Sequence, residues 1–336
     1  MIRLGDTLFV LRVVPPDLPP PLPESAGFVA VSPPFRVAVE ACRAAARTKA
    51  TVLLCGETGT GKEVLAGLLH RESGRPGKLV PVNCAAIAAG VFEAQMFGYR
   101  RGAFTGAATD FSGHVRAARG GTLFLDEIGE LEPEVQAKLL RFLDSGEAAA
   151  VGEAEPVRVD VRVVAATNRD LATAIAEGRF RKDLHARIAR WTVRLPPLRE
   201  RPEDALLLCS RTLAPCGIRL DADAAEAVLV HDWPYNAREV LSACEELAIR
   251  SAGPAPVGLA ALPEAVTSRL RAARAGAAAG DAGEPAAAAP TRDELARLLG
   301  ETGGNVSEIA RRLGKHRAQI YRWLARHGLK ERDPCA

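Results

Sequence analysis

Residues 52–70 read VLLCGETGTGKEVLAGLLH, and this stretch decides the fold. An apolar run, Val52–Cys55, predicts a buried strand; a glycine-punctuated turn follows, and Lys62 opens an amphipathic helix. Gly56, Gly59 and Gly61 with Lys62 satisfy the spacing G-x-x-x-x-G-K. In such a loop successive backbone N–H groups wrap a β-phosphate, the helix N-terminus adds positive potential, and the lysine reaches the β and γ oxygens. The predicted phosphate site is therefore Gly56, Glu57, Thr58, Gly59, Thr60, Gly61, Lys62 and Glu63. Glu63 stands where a hydroxyl usually supplies a magnesium ligand, so that ligand must come from elsewhere.

Residues 121–131 read GTLFLDEIGEL: an apolar run delivers Asp126 and Glu127 to the C-terminal end of a second strand. Ligands bind at that edge of an open parallel sheet. Asp126 is placed to hold magnesium and Glu127 to polarise an attacking water, against the plainer alternative of a solvated strand end. Phosphoryl transfer needs positioning and charge neutralisation more than covalent chemistry, and these two acids suit it. A third run, VRVVAATNRDL at residues 161–171, brings Thr167 and Asn168 to the same edge, where polar groups orient water and sense a γ-phosphate. Apolar strands alternating with helical patterns predict an α/β fold with a parallel sheet covered by helices.

Composition divides the 336 residues into five segments. Residues 1–26 hold a short β-prone run and a Pro-rich linker, residues 27–200 the α/β body, and residues 201–270 amphipathic helices of an all-α lid. Residues 271–290 form an Ala/Gly/Pro linker, and residues 291–336 a small helical domain. No apolar run approaches the roughly 18 residues of a membrane span. Seven scattered cysteines without a C-x-x-C pair argue against a disulfide framework or zinc site and fit a reducing cytoplasm. The net charge is only +3, but residues 306–330 carry seven Lys/Arg against one acid. A local basic cluster of this kind predicts a polyanion partner.

Residues 99–113, YRRGAFTGAATDFSG, fit neither helix nor strand period. Glycines bracket Phe104 and Thr105 in a flexible loop, where the ordinary fate of an aromatic is to fold back into the core. Together with GETGTGKE, VNCAAI, GTLFLDE, ATNRDL, FRKDLHARI, LPPLRERPED and WPYNAREV, the segment MFGYRRGAFTGA resembles the bacterial enhancer-binding proteins. These are the sigma-54-dependent activators, AAA+ ATPases, and the likeness runs from about residue 27 to residue 250. Glu63 is then no anomaly, since the family's loop commonly reads GESGTGKE.

The resemblance implies an ATPase using ATP and Mg²⁺, assembled as a homo-oligomeric ring, a hexamer. It implies that Asn83 holds the catalytic Glu127 in reserve, that Arg181 and Arg187 act as arginine fingers on a neighbouring γ-phosphate, and that Arg238 is the lid's sensor arginine. It makes Gly102, Ala103, Phe104, Thr105, Gly106 and Ala107 the loop that contacts sigma-54. Three departures stand out: Tyr235 replaces a usual glycine, which leaves the lid geometry open; Gln95 and Met96 replace an acid and a leucine; Ala189 replaces an asparagine.

At the C-terminus, residues 303–329 predict helix, turn, helix, with Ile309, Leu313, Ile320 and Leu324 packing together and Gly314 at the turn. Lys315, His316, Arg317, Gln319 and Arg322 are left for phosphates or base edges of double-stranded DNA. The segment resembles the Fis-type helix-turn-helix of this family. The start, IRLGDTLFVLRV, predicts two strands joined by Gly5-Asp6 and is similar to the end of a forkhead-associated domain; residues 1–26 hold no receiver domain. The rival readings are a regulator that no longer remodels sigma-54, or a motor tracking nucleic acid. The uncharged hexapeptide disfavours the second, since a DNA-tracking loop calls for basic residues.

Overall fold

The computed structural model describes residues 1–12, 18, 28, 30–251, 256–282, 290–302, 306–313, 320–321, 323–324 and 327–329. The chain opens with an antiparallel hairpin, β1 (Ile2–Leu4) and β2 (Thr7–Phe9), in which Ile2 faces Phe9. Its two-residue turn is the predicted Gly5-Asp6, with Gly5 at a left-handed φ of 60°. Helix α1 (Pro33–Ala46) begins on two prolines, whose fixed φ suits a first turn. The buried Arg162 guanidinium closes its other end, donating to the carbonyls of Ala45 and Ala46 at 2.8 Å each.

The phosphate-loop stretch folds as strand, turn and helix: β3 (Val52–Cys55) and α2 (Lys62–Glu72). Then come β4 (Leu79–Asn83), α3 (Ala89–Phe97), α4 (Gly113–Ala117) and β5 (Thr122–Asp126). Helix α5 (Pro133–Ser145) leads into a small ribbon, β6 (Glu147–Ala148) with β7 (Val157–Arg158), and then β8 (Arg162–Thr167). Short helices α6 (Leu171–Ala176) and α7 (Lys182–Ile188) precede β9 (Trp191–Arg194).

Five of these strands form one parallel sheet in the order β4-β5-β8-β3-β9. Side chains alternate across it, and both faces are apolar. Leu53, Leu123, Leu125, Val163 and Ala165 pack with Phe92, Met96, Leu139 and Leu184 of α3, α5 and α7. Val52, Leu54, Phe124, Val164 and Ala166 pack with Val39, Leu65 and Leu69 of α1 and α2. Strands buried on two faces read as continuous apolar runs, which is why the sequence shows them plainly. Their common direction brings Cys55, Asn83, Asp126 and Thr167 to one edge.

The remainder of the first compact unit, Met1–Arg271, is mostly helical. It comprises α8 (Pro202–Leu213), β10 (Arg219–Leu220), α9 (Ala222–Val230), α10 (Asn236–Arg250), β11 (Pro256–Val257) and the first part of α11 (Glu264–Ala282). Its core centres on the fully buried Trp233, whose indole N–H donates to the Val228 carbonyl at 2.9 Å. Tyr235 does not strain this lid: its φ is −101°, open to any residue, and the left-handed positions are Trp233 and Asn236 beside it. Helix α11 runs on to Ala282, into the Ala-rich stretch that composition marks as a linker.

The second unit, Ala272–Ala336, contains α12 (Arg292–Glu301) and α13 (Val306–Leu313). The Thr291 hydroxyl caps α12 by accepting from Glu294 N–H at 3.3 Å. Ile309, Ile320 and Leu324 are buried together with Leu295 and Leu298, and Leu313 packs against them, as the helical spacing predicts. Lys315, His316, Arg317, Gln319 and Arg322, and the Gly314 turn, lie outside the described residues. No helix among the described residues is long and apolar enough to cross a membrane.

Candidate nucleotide site

The loop between β3 and α2 needs glycine at two points. Gly59 and Gly61 have φ of 79° and 105°, in the region that L side chains avoid, and a Cβ on Gly59 would lie 2.3 Å from the Tyr235 carbonyl oxygen. Lys62 is buried, and its Nζ donates to the carbonyls of Gly56 at 2.9 Å and Glu57 at 3.2 Å. Burial pushes the ammonium pKa down, while Glu127 and Asp126 oppose that shift. The ammonium lies 3.9 Å from Glu127 Oε1, which brings the loop lysine to the second of the two acids. Glu63 is exposed in the first turn of α2.

Asp126 ends β5, and its Oδ1 accepts the Glu127 N–H at 3.0 Å. Glu127 itself has φ 52°, a left-handed conformation uncommon for a side chain of this type. Such strain persists where the surroundings over-determine it, most often at a functional site. Asn168 joins the parts: its N–H reaches Glu127 Oε2 at 3.3 Å and its side-chain amide donates to the Thr58 hydroxyl at 3.1 Å. Thr167 is buried beneath, its carbonyl accepting from Gly56 N–H at 3.1 Å and its hydroxyl from Arg169 N–H at 3.1 Å.

Asn83 pairs with Asp126 in the β4–β5 register, but its side-chain oxygen accepts from Ala85 N–H at 3.0 Å. No hydrogen bond between Asn83 and Glu127 is present among the described residues. Arg181 makes a two-pronged pair with Asp183, at 3.0 and 2.6 Å, and Arg187 rests on the Leu143 carbonyl at 3.0 and 2.6 Å with Asp144 at 3.2 Å. Arg238 is exposed at the start of α10, beside Gly59, and is close enough to Lys62 to help depress its pKa.

Four residues with no predicted role hold this site in shape. Asn236, fully buried, accepts from Leu198 N–H at 2.6 Å and donates to Glu57 Oε2 at 3.2 Å and the Thr58 carbonyl at 3.0 Å. Arg201, 3% exposed, donates to the Thr60 carbonyl at 2.7 Å. Arg199 grips Glu57 at 2.9 and 2.7 Å and, as the largest cause, lowers that carboxyl's pKa. Gln136, fully buried in α5, donates to the carbonyls of Leu131 and Arg179 and accepts from Arg181 N–H, so it fixes the segment carrying Arg181. The only sequence signal for Gln136 is a polar residue on an apolar helix face.

The hexapeptide closes on itself. Gly102 N–H donates to the Ala107 carbonyl at 2.9 Å and Ala107 N–H to the Phe104 carbonyl at 3.0 Å, with Gly102 and Gly106 at φ of 82° and 104°. Phe104 is 46% exposed, against the plainer alternative of a core aromatic, and its ring meets Tyr99 edge-on at 5.0 Å. Gly102, Thr105 and Gly106 are exposed, Ala103 is half-buried and Ala107 buried. At the base, Arg100 pairs with Asp110 at 3.1 Å and with Glu153 at 2.7 Å, and Glu153 also pairs with Arg116.

Residues 28–194 match the sigma-54 interaction domain, and residues 292–331 a homeodomain-like domain. The chain belongs to the sigma-54-dependent activators. Among relatives of this enhancer-binding family, the nitric oxide reductase transcription regulator NorR2 of Cupriavidus necator is 40% identical over 85% of this chain and 60% of its own. The response regulator protein FleR of Pseudomonas aeruginosa is 43% identical over 68% of this chain and 50% of its own. The Nif-specific regulatory protein of Azotobacter vinelandii is 43% identical over 66% of this chain and 44% of its own. The chain thus spans about half the length of these relatives. NtrX from Brucella abortus, solved in complex with ATP, superposes with a TM-score of 0.65 at 28% identity, covering 90% of this chain and 69% of that one.

Proposed function

We propose that this activator couples ATP hydrolysis to remodelling of sigma-54 RNA polymerase from a position on upstream double-stranded DNA, and that it works as a cytoplasmic homo-oligomeric ring, a hexamer. The observation that carries the reading is Asn168 joining Thr58 of the phosphate loop to Glu127, with Lys62 3.9 Å from the same carboxylate. In this reading the loop amides and Lys62 hold the β- and γ-phosphates, Glu127 takes the proton of the attacking water, and Asn168 registers the γ-phosphate. Arg238 reaches the phosphates from the lid, and Arg181 and Arg187 leave their present partners to serve the neighbouring subunit's nucleotide.

A magnesium ion fits the donor set. Asp126 offers a hard carboxylate oxygen at the strand end, and no cluster of three or more metal-ligating side chains exists among the described residues. A site of that kind suits magnesium, which keeps waters and shares phosphate oxygens instead of filling a protein cage. When bound it neutralises phosphate charge. Gly102–Ala107 carries the output as the sigma-54 contact, and the C-terminal helices, with Lys315, His316, Arg317, Gln319 and Arg322, hold the DNA.

The test is open-complex formation at a sigma-54 promoter with purified holoenzyme. ATP should support it and a non-hydrolysable analogue should not. Opening that is indifferent to hydrolysis would remove the motor from the reading.

A further inference from the structure

Three consecutive carbonyls of the phosphate loop are taken by donors from the lid side. Asn236 Nδ2 donates to the Thr58 carbonyl at 3.0 Å, Ala237 N–H to the Gly59 carbonyl at 3.0 Å, and Arg201 Nη2 to the Thr60 carbonyl at 2.7 Å. In a trans peptide the C=O and N–H of one unit point opposite ways. The Thr60 N–H turns inward to the Glu57 carbonyl at 3.3 Å, and fixing these carbonyls toward the lid turns the amides on either side of it, those of Gly59 and Gly61, to the other side of the loop. Those are the groups from which an anion-binding nest is made.

The donors are themselves immobilised. Asn236 sits at φ 54° with no exposure, and Leu198 N–H holds its oxygen at 2.6 Å. The Arg201 guanidinium lies 3.9 Å over the Phe35 ring, reaches the Pro196 carbonyl at 3.1 Å, and stands 3.5 Å from Asp204. Asp204 in turn accepts from Val31 N–H at 2.8 Å, Ser32 N–H at 3.0 Å and the Ser32 hydroxyl at 2.6 Å. A buried belt thus runs from the start of α1 through the lid to the loop crest.

We propose that Asn236 and Arg201 are positioning residues for phosphate binding, which set the loop amides from outside so that lid docking and nucleotide affinity are one linked equilibrium. The proposal rests on the nucleotide reading above. By reciprocity, if docking tightens phosphate binding, phosphate must tighten docking by the same factor.

Two variants test it with ADP as the probe. Asn236→Asp keeps the shape but puts a carboxylate oxygen against the Thr58 carbonyl and Glu57. Arg201→Lys keeps the charge and loses the fork. In folded protein, ADP affinity and the KM for ATP should each worsen about tenfold, as expected for one lost charged hydrogen bond. Turnover at saturating ATP should change far less, because Asp126 and Glu127 are untouched. A residue that matters only for stability would lower Tm and leave ADP affinity alone.

Hydrogen exchange on the unmodified chain gives an answer even if neither variant folds. Saturating ADP should slow exchange of the Ala237 amide and leave α13 unchanged. ADP affinity within twofold of the parent in folded Asn236→Asp, or no slowing at Ala237, overturns the proposal alone. A parent that binds no ADP overturns the nucleotide reading as well.

Discussion

The side-chain amide of Asn168 donates to the hydroxyl of Thr58 at 3.1 Å, which ties the end of β8 to the phosphate loop. The backbone of Asn168 faces Glu127, so one residue touches both the group expected to hold phosphate and the group expected to activate water. In the proposed reading an arriving γ-phosphate competes for that amide, and a shift of Asn168 is passed to Glu127.

Glu127→Gln should therefore leave ADP binding close to the parent while hydrolysis falls by at least about 10², the usual worth of a positioned general base. Asn168→Ala should lower turnover more than it lowers affinity. Equilibrium binding and steady-state phosphate release separate these effects. Near-normal turnover in Glu127→Gln would take that residue out of the catalytic role.

Arg187→Ala examines catalysis across subunits. Arg187 now rests on Leu143 and Asp144, contacts worth little at a half-exposed surface, so the variant should fold normally. An arginine finger contributes about 10³–10⁵ in rate. ATPase activity per subunit should rise with protein concentration in the parent and stay flat and low in the variant. A concentration-independent rate in a demonstrated monomer would count against the ring.

The phosphate loop, its strand and its helix were legible because glycine geometry and two-face burial leave marks on consecutive residues. The belt was not. Arg201 and Asn236, like Gln136 outside the belt, act on backbone carbonyls, whose positions depend on which distant segments meet, and no local pattern records that. Tyr235 shows the converse: the motif asks for glycine there, yet the left-handed backbone falls one residue later, on Asn236. Asn tolerates that region better than most side chains, which lets the tyrosine stand.

Removal of residues 291–336 takes away ten Lys/Arg and six acids. Specific DNA binding should be lost while ATPase activity at high protein concentration survives. Because phosphate contacts release counterions, the full chain's affinity should fall steeply with salt. Equal affinity of the full and shortened proteins for one site, measured by fluorescence anisotropy, would place the DNA contacts elsewhere.

Glu153 sets a pH expectation for the loop base. Its carboxyl is pushed down to about 2, chiefly by Arg116, with the Ala150 N–H and Arg100 adding to the effect. A depressed carboxyl pKa gives stabilisation that is complete above the unfolded value and is lost as pH falls through the folded one. The loop clasp should thus be independent of pH from 5.5 to 8 and weaken only below the ordinary carboxylate range. Glu153→Gln should reproduce the weakened state at neutral pH, seen as faster hydrogen exchange over residues 99–107. Unchanged exchange would show that the ion pairs do not hold the loop.

Phe104 separates a contact loop from a structural one. Truncating a buried phenylalanine costs about 3–5 kcal/mol, but Phe104 is 46% exposed and packs edge-on against a single ring, Tyr99. Losing an aromatic pair of this kind costs about 0.5–1.5 kcal/mol. Phe104→Ala should therefore stay folded, with Tm lowered by a few degrees at most. Thr105→Ala removes only a methyl and a hydroxyl from an exposed position and should not change Tm. Both variants should keep ATPase activity and DNA binding. Both should lose retention of sigma-54 in the presence of a transition-state nucleotide analogue, and with it promoter opening. Tyr99→Ala sharpens the comparison, because it frees the Phe104 ring without removing it and should leave sigma-54 retention intact or raised. If Phe104→Ala melts far below the parent, or if it and Thr105→Ala still retain sigma-54, the hexapeptide is a structural turn and the contact lies elsewhere.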